Sequence, residues 1–191
     1  HTEYQKLSLL FCVNRAGSFL IQPPGSGKSL QEIAWLLATK GPGLLVASAK
    51  GRETLRRECK RYLRDPGAAT ALEGFTPYDP PKARIYLTTY EVLAAWKKQI
   101  LALGLDAVVF DEIHRAKDGR RYEATPIGDD DVRALERGTR RLPPGAFWKE
   151  TDPGPVVFSR LVTTASVSAE IAHRVPRRLG ATATLLPNVT D

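Results

Sequence analysis

The chain contains no methionine, only two cysteines, and no apolar run long enough to cross a membrane. The missing methionines include the initiator, so we expect a piece of a longer protein. Cys12 and Cys59 are too few and too far apart for a disulfide framework, and no Cys/His spacing matches a zinc site. A reducing compartment follows. The amino terminus also lacks a basic-then-apolar export signal. We therefore expect a cytoplasmic protein, or a nuclear one in a eukaryote, with no membrane partner.

Hydrophobic residues make up 42% of the 191 positions. That is enough for one sizeable α/β core, and the length is too short for two large domains. Lys and Arg number 28 against 21 Asp and Glu, a net charge of +7. The surplus suits a polyanion, and nucleotide and nucleic acid are served equally by it.

The segment Gln22-Pro23-Pro24-Gly25-Ser26-Gly27-Lys28-Ser29 reads as a phosphate-binding loop. It follows an apolar run, Ser18 to Ile21, and precedes an expected helix from Leu30 to Thr39. That is the strand, loop, helix order the pattern requires. Glycines let backbone N–H groups turn toward phosphate oxygens, and the new helix adds donors and a favourable dipole. The nucleotide-binding set is Gly25, Ser26, Gly27, Lys28 and Ser29. Lys28 would reach the β- and γ-phosphates, and Ser29 would offer its hydroxyl to Mg²⁺. One position departs from the pattern, since Gln22 stands where its first glycine belongs. The competing reading is a glycine turn with a lysine at a helix start.

A second signal sharpens the first. Leu105 to Phe110 is a short apolar run of the kind that forms a buried parallel strand, and it ends in Asp111-Glu112-Ile113-His114. Adjacent carboxylates at a buried strand end are costly without partners or metal. Beside a phosphate loop they have a task. Asp111 would hold Mg²⁺, and Glu112 would orient or deprotonate the attacking water, so Lys28, Asp111 and Glu112 form the catalytic set.

Along the chain, strand and helix patterns alternate, which predicts a parallel sheet with helices on both faces. Leu44 to Ala47 is the next strand, and Arg52 to Arg64 a helix with one strongly basic face. Asp65 to Lys82 reads as loop, Ala83 to Thr88 as a strand, and Tyr90 to Ala102 as a helix. Residues from about 118 to 155 lack clear periodicity beyond a short helix near Val132 to Arg137, and we expect an insertion there. Val157, Leu161, Thr164, Ser168 and Ile171 recur at helical spacing. Arg178 to Thr184 closes the series as a last strand with its exit loop.

This order of segments resembles the first motor lobe of superfamily 2 DExH-box helicases, particularly the Swi/Snf-type DNA translocase branch. The resemblance runs nearly end to end, broken by the insertion. It is carried by Gly25 to Gln31, Leu45 to Ser48, Leu87 to Glu91, Asp111 to Lys117 and Arg178 to Thr184, with Tyr4-Gln5 ahead of them. Where the branch usually has proline, this chain has Ser48 and Leu185. The resemblance implies an α/β, three-layer RecA-like (P-loop NTPase) domain with a mainly parallel central sheet flanked by helices. It implies that Gln5 reads adenine and that Thr88, Thr89 and Tyr90 contact nucleic acid. It also implies that His114, Thr182 and Thr184 couple nucleotide state to strand movement. The expected cofactors are ATP and Mg²⁺, and the expected partners are nucleic acid, DNA before RNA, and a second RecA-like lobe bearing arginine fingers that this chain does not contain.

The activity implied is that of a DNA-dependent ATPase, helicase or translocase lobe, nearly inactive without its second lobe. Two other readings stay open. One is a regulatory module that binds nucleotide and nucleic acid without useful turnover. The other is a packaging (terminase-type) ATPase, against which the Thr88-Thr89-Tyr90 and Thr182-Ala183-Thr184 elements count.

Overall fold

A computed structural model describes residues 2–117, 122–143, 146–151, 154–160 and 163–183. The chain begins with helix α1 (Glu3–Val13), strand β1 (Gly17–Ile21), helix α2 (Lys28–Leu37), strand β2 (Gly43–Ala47) and helix α3 (Ala49–Tyr62). Strands β3 (Ala69–Ala71) and β4 (Ile85–Thr89), helix α4 (Leu93–Ala102) and strand β5 (Ala107–Asp111) follow. Then come β6 (Tyr122–Pro126), α5 (Asp129–Glu136), β7 (Phe147–Thr151), β8 (Gly154–Arg160), α6 (Thr164–Arg174) and β9 (Arg177–Thr182).

Six strands form one sheet in the order β1-β9-β5-β2-β4-β3, and every pairing in it is parallel. The central strands are apolar at successive positions because both sheet faces are covered. Leu45, Ala47, Ile85, Leu87, Ala107 and Val109 point to one side, where Cys12 of α1, Ile33 and Leu36 of α2, and Leu55 of α3 complete a core. Leu44, Val46, Tyr86, Val108 and Phe110 point to the other, against Leu93, Trp96 and Ile100 of α4 and Val167 and Ile171 of α6. The protein is thus a three-layer α/β domain with a parallel sheet between two helical layers. Among the described residues, no helix is long and apolar enough to cross a membrane.

Several boundaries differ from the sequence reading, each for a local reason. Helix α1 was not expected, since a helix of modest amphipathicity gives little periodic signal. It is started by Thr2, whose hydroxyl accepts from the Gln5 N–H while the Gln5 side chain accepts from the Thr2 N–H. Helix α3 begins at Ala49 rather than Arg52 because the Ser48 hydroxyl caps it, accepting from the Gly51 N–H at 3.1 Å. The segment read as an insertion holds a second, three-stranded antiparallel sheet, β6-β8-β7, and helix α5. Strand β8 runs past the expected boundary at 155 and contains Val157, so the helical spacing is corrected at Val157 and holds for Thr164, Ser168 and Ile171 of α6, while Leu161 lies outside the described residues. The β-branched pair Val156-Val157 favours a strand, and the helix starts only at the capping box of Thr163 and Ser166.

Leu45 is fully buried on central strand β2. Its replacement by Ala should lower stability by about 2–5 kcal/mol, the usual cost of a cavity in a packed core. Urea unfolding read by circular dichroism checks this, and a change within error would mean that the core collapses onto the vacancy.

Candidate nucleotide site

The site begins with register. Gly17 to Ile21 of β1 pair with Arg178 to Thr182 of β9, and β9 pairs on its other side with β5, placing Asp111 opposite Ala181. The Gln22 N–H continues the first ladder by donating to the Thr182 carbonyl at 3.2 Å. Loop and acids therefore leave the same edge of the sheet with one strand between them. At a strand spacing of ~4.8 Å, that sets them roughly 10 Å apart.

The loop then turns through Gly25 at φ 77° and Gly27 at φ 81°, left-handed conformations that favour glycine. At Gly27 a side chain is also excluded by contact, because a Cβ there would lie 2.5 Å from Gln5 Nε2. Helix α2 starts at once with no side-chain cap, so its first N–H groups lack the partner that such a residue supplies elsewhere. Gln22, the departure from the pattern, has a structural role. Its side chain exchanges two hydrogen bonds with Gln31 (3.0 and 2.8 Å), both residues are buried, and Ser26 Oγ donates to Gln22 Oε1 at 3.1 Å. The amide pair ties the loop's first residue to the first turn of α2.

Lys28 and Ser29 line a cleft of about 810 Å³ with Pro24, Gly25, Asp111 and Glu112, and helix α3 supplies its far wall through Lys50, Thr54 and Tyr62. Lys28 Nζ lies 3.4 Å from the Gln22 carbonyl and donates to it. The amino-terminal turn of α3 approaches Asp111 closely: a Cβ on Gly51 would stand 3.2 Å from Asp111 Oδ2. A separate hollow of about 470 Å³ beside Phe19, Ile113 and Ala172 is almost wholly apolar and contains none of these groups.

The acidic side of the cleft is electrostatically loaded. Glu32 of α2 is completely buried, and neither of its carboxylate oxygens meets an N–H or O–H donor. What it meets is the Asp111 carboxyl, which can satisfy it only if one of the two acids carries a proton. Burial pushes Glu32 well above the usual carboxylate range, and the charges of Asp111 and Glu112 add to the effect against that of Lys28. Asp111 is raised as well, by burial first and by Glu112 second. Tyr90, buried against the same acids, has its hydroxyl pKa raised by that burial and donates to the Asp111 carbonyl at 2.8 Å.

Glu112 has φ 52°, the one positive φ outside glycine among the described residues. Such strain persists where the surroundings over-determine it. Here the Thr182 hydroxyl donates to Glu112 Oε2 at 3.3 Å, and His114 Nδ1 lies 3.3 Å from the same oxygen and 3.4 Å from Thr182 Oγ1. Glu112, His114 and Thr182 form a triangle at the mouth of the sheet. Thr184, expected with them, lies outside the described residues.

Gln5 donates from Nε2 to the Ser26 carbonyl at 2.8 Å and accepts at Oε1 from the Thr2 N–H at 2.9 Å. These two bonds brace the glycine loop against α1 and leave the amide one further N–H and one further lone pair. Of the residues expected to contact nucleic acid, Thr88 and Thr89 are buried on β4, an interior strand, with Thr88 Oγ1 donating to the Leu72 carbonyl, and Tyr90 is buried just after it. Of the basic face of α3, Arg52 and Arg56 pair with Glu73.

Glu32 and Gln22 were missed in the sequence. Glu32 had a signal, being an acid at the first position of a buried i, i+3, i+4 stripe with Trp35 and Leu36. No protein-family model matches the chain, and no curated protein matches it either.

Two outcomes follow. Glu32 has an ordinary value of 4.5 and a raised one when folded, so the native state holds a proton that the unfolded chain has lost. That contribution is whole below the ordinary value and is lost as pH rises through the folded value. In metal-free buffer, wild-type stability should fall relative to Glu32→Gln as pH rises above about 4.5. Parallel urea midpoints for the two proteins across that range would contradict it. At position 112, Glu112→Gly should be more stable than Glu112→Ala by about 1 kcal/mol, since both lose the carboxylate and only glycine relieves the left-handed backbone. Equal unfolding midpoints would mean that the turn relaxes without cost.

Proposed function

We propose that this chain is the ATP-binding and hydrolysing lobe of a nucleic-acid-dependent ATPase of the helicase or translocase type. The observation that carries the reading is the convergence of Lys28, Ser29, Asp111 and Glu112 on one cleft at the carboxyl ends of parallel strands, the edge at which open α/β sheets bind ligands. The turned loop, the uncapped start of α2 and Lys28 make a cradle for phosphate oxygens.

The donors fit a hard divalent cation. Ser29 offers a hydroxyl and Asp111 a carboxylate. Among the described residues, no group of three or more His, Cys, Asp and Glu side chains forms a metal cage. The set therefore suits Mg²⁺, which keeps waters and takes one or two carboxylates together with substrate phosphates. When bound, Mg²⁺ would neutralise charge on the phosphates.

Glu112 is the general base in this reading. Its carboxylate lines the cleft, and Thr182 and His114 hold Oε2 in place. Lys28 binds the phosphates and holds the one described positive charge of the loop against them. Lys50 is the described cation on the far wall and no described arginine lines the cleft, so in this reading an arginine finger would come from another lobe or another chain. Nucleic acid as the partner rests on the positive surplus and on the resemblance, since the buried Thr88, Thr89 and Tyr90 side chains give it no support. The module without useful turnover is the second reading, favoured by the lack of a described arginine in the cleft.

Three proteins test the proposal with a fluorescent ATP analogue and a steady-state hydrolysis assay. Wild type should bind nucleotide and turn over slowly, at a rate about 10³–10⁵ below that expected once an arginine is supplied from a second lobe. Lys28→Ala should lose affinity about tenfold to hundredfold. Glu112→Gln should keep its affinity and lose about 10²–10⁴ of whatever hydrolysis there is. Unchanged binding in Lys28→Ala would remove this loop from the site. Hydrolysis by Glu112→Gln at the wild-type rate would remove the base.

A further inference from the structure

Glu32 is the feature that the nucleotide reading does not use. It stands one helical turn after Lys28 on α2, is fully buried, and has neither carboxylate oxygen satisfied by a donor. An acid kept in a core for packing is ordinarily paired with Arg or Lys, or capped by backbone N–H groups, because an unpaired buried carboxylate is expensive. Glu32 has neither arrangement. Its contact is with another acid, Asp111, at the end of β5, and the nearest positive charge acting on both is Lys28. Two carboxyls turned toward one another beside a phosphate cradle suit a site whose occupant brings positive charge of its own.

We infer that Glu32 is a positioning residue for the divalent cation of the nucleotide site, fixing the Asp111 carboxylate and setting a second negative charge beside it. The inference rests on the ATP reading. Glu32 need not touch nucleotide to act, since partners standing behind a ligating carboxylate orient it and tune its charge. The Asp111 carboxylate and the Ser29 hydroxyl leave coordination positions that phosphate oxygens and water would complete. Metal and nucleotide should then bind together, each weakly without the other.

The test separates this role from packing. Glu32→Gln keeps the shape and a donor toward Asp111 but cannot ionise beside a bound cation. Nucleotide affinity is measured with a fluorescent ATP analogue across a Mg²⁺ titration and again in chelator, with melting temperatures in both buffers. We expect Glu32→Gln to need about tenfold to hundredfold more Mg²⁺ for half-maximal binding. Its affinity in chelator should equal that of wild type, because without metal the acid pair already holds a proton and the substitution leaves its net charge unchanged, and its metal-free melting temperature should not fall. Glu32→Asp, which keeps the charge on a shorter stem, should lie between the two, and it serves as the test if the Gln variant does not fold. An unchanged Mg²⁺ requirement overturns the inference and leaves the nucleotide reading standing. Joint loss of affinity in both buffers with a lower melting temperature assigns Glu32 to packing and also overturns it. Wild type that binds no nucleotide with or without Mg²⁺ overturns both.

Discussion

The arrangement depends on parallel pairing of β1 and β5 to the two sides of β9. That register fixes which residues leave the sheet together. Thr182 sits opposite Ile21, Asp111 sits opposite Ala181, and the Gln22 N–H is held by the Thr182 carbonyl. Strand spacing then sets the gap between phosphate loop and acids at roughly 10 Å, a width that a triphosphate and its cation can bridge. A slip of one residue in either ladder would turn Leu179 and Val109 out of their core and swing Asp111 away from the cleft, so the buried apolar pattern enforces the site geometry. The same hydrophobic burial that folds the domain thus aims its chemistry.

Against that rigid frame the cleft is full of locally unfavourable choices. Glu112 is held in a left-handed conformation, Glu32 is desolvated against another acid, and the loop uses two glycines at positive φ. None of these is what stability alone would select, and all lie within one region. Sequences are expected to be consistent across levels except where function competes. Two cores offset the cost. They hold Trp35 and Trp96, both essentially inaccessible, and a β2 strand buried along its whole length.

Much of this was legible in the sequence because it follows from short-range pattern. The Gly25-Ser26-Gly27-Lys28-Ser29 loop, the apolar run ending in Asp111-Glu112 and the alternation of elements each need a few adjacent residues, and the α/β fold class followed from them. What was hidden depends on distant partners. That β4 is an interior strand is a fact of topology, so Thr88, Thr89 and Tyr90 read as surface contacts and are buried. The pairing of Gln22 with Gln31 and of Glu32 with Asp111 joins residues on different elements or on opposite sides of a loop. Helix α1 was hidden for another reason, since its exposed Leu7, Leu10 and Phe11 blur the apolar face that periodicity reads. Val157 matched a helical spacing by coincidence, where β-branched neighbours and the cap at Thr163 decide otherwise.

Strand β9 bears on how such a lobe would report what it holds. Its last residue makes two kinds of contact. Through its backbone carbonyl, Thr182 holds the first residue of the phosphate loop, and through its hydroxyl it holds the carboxylate of Glu112, with His114 closing the triangle. A hydroxyl rotates freely and can donate to only one acceptor at a time. If the charge on Glu112 is drawn toward a water or a phosphate, the contacts that Thr182 and His114 make to Oε2 loosen together. That loosening would alter the side-chain contacts at the exit of β9 without disturbing the ladder that holds the loop. In the proposed reading, this is where nucleotide state would reach β9, with no movement of the sheet.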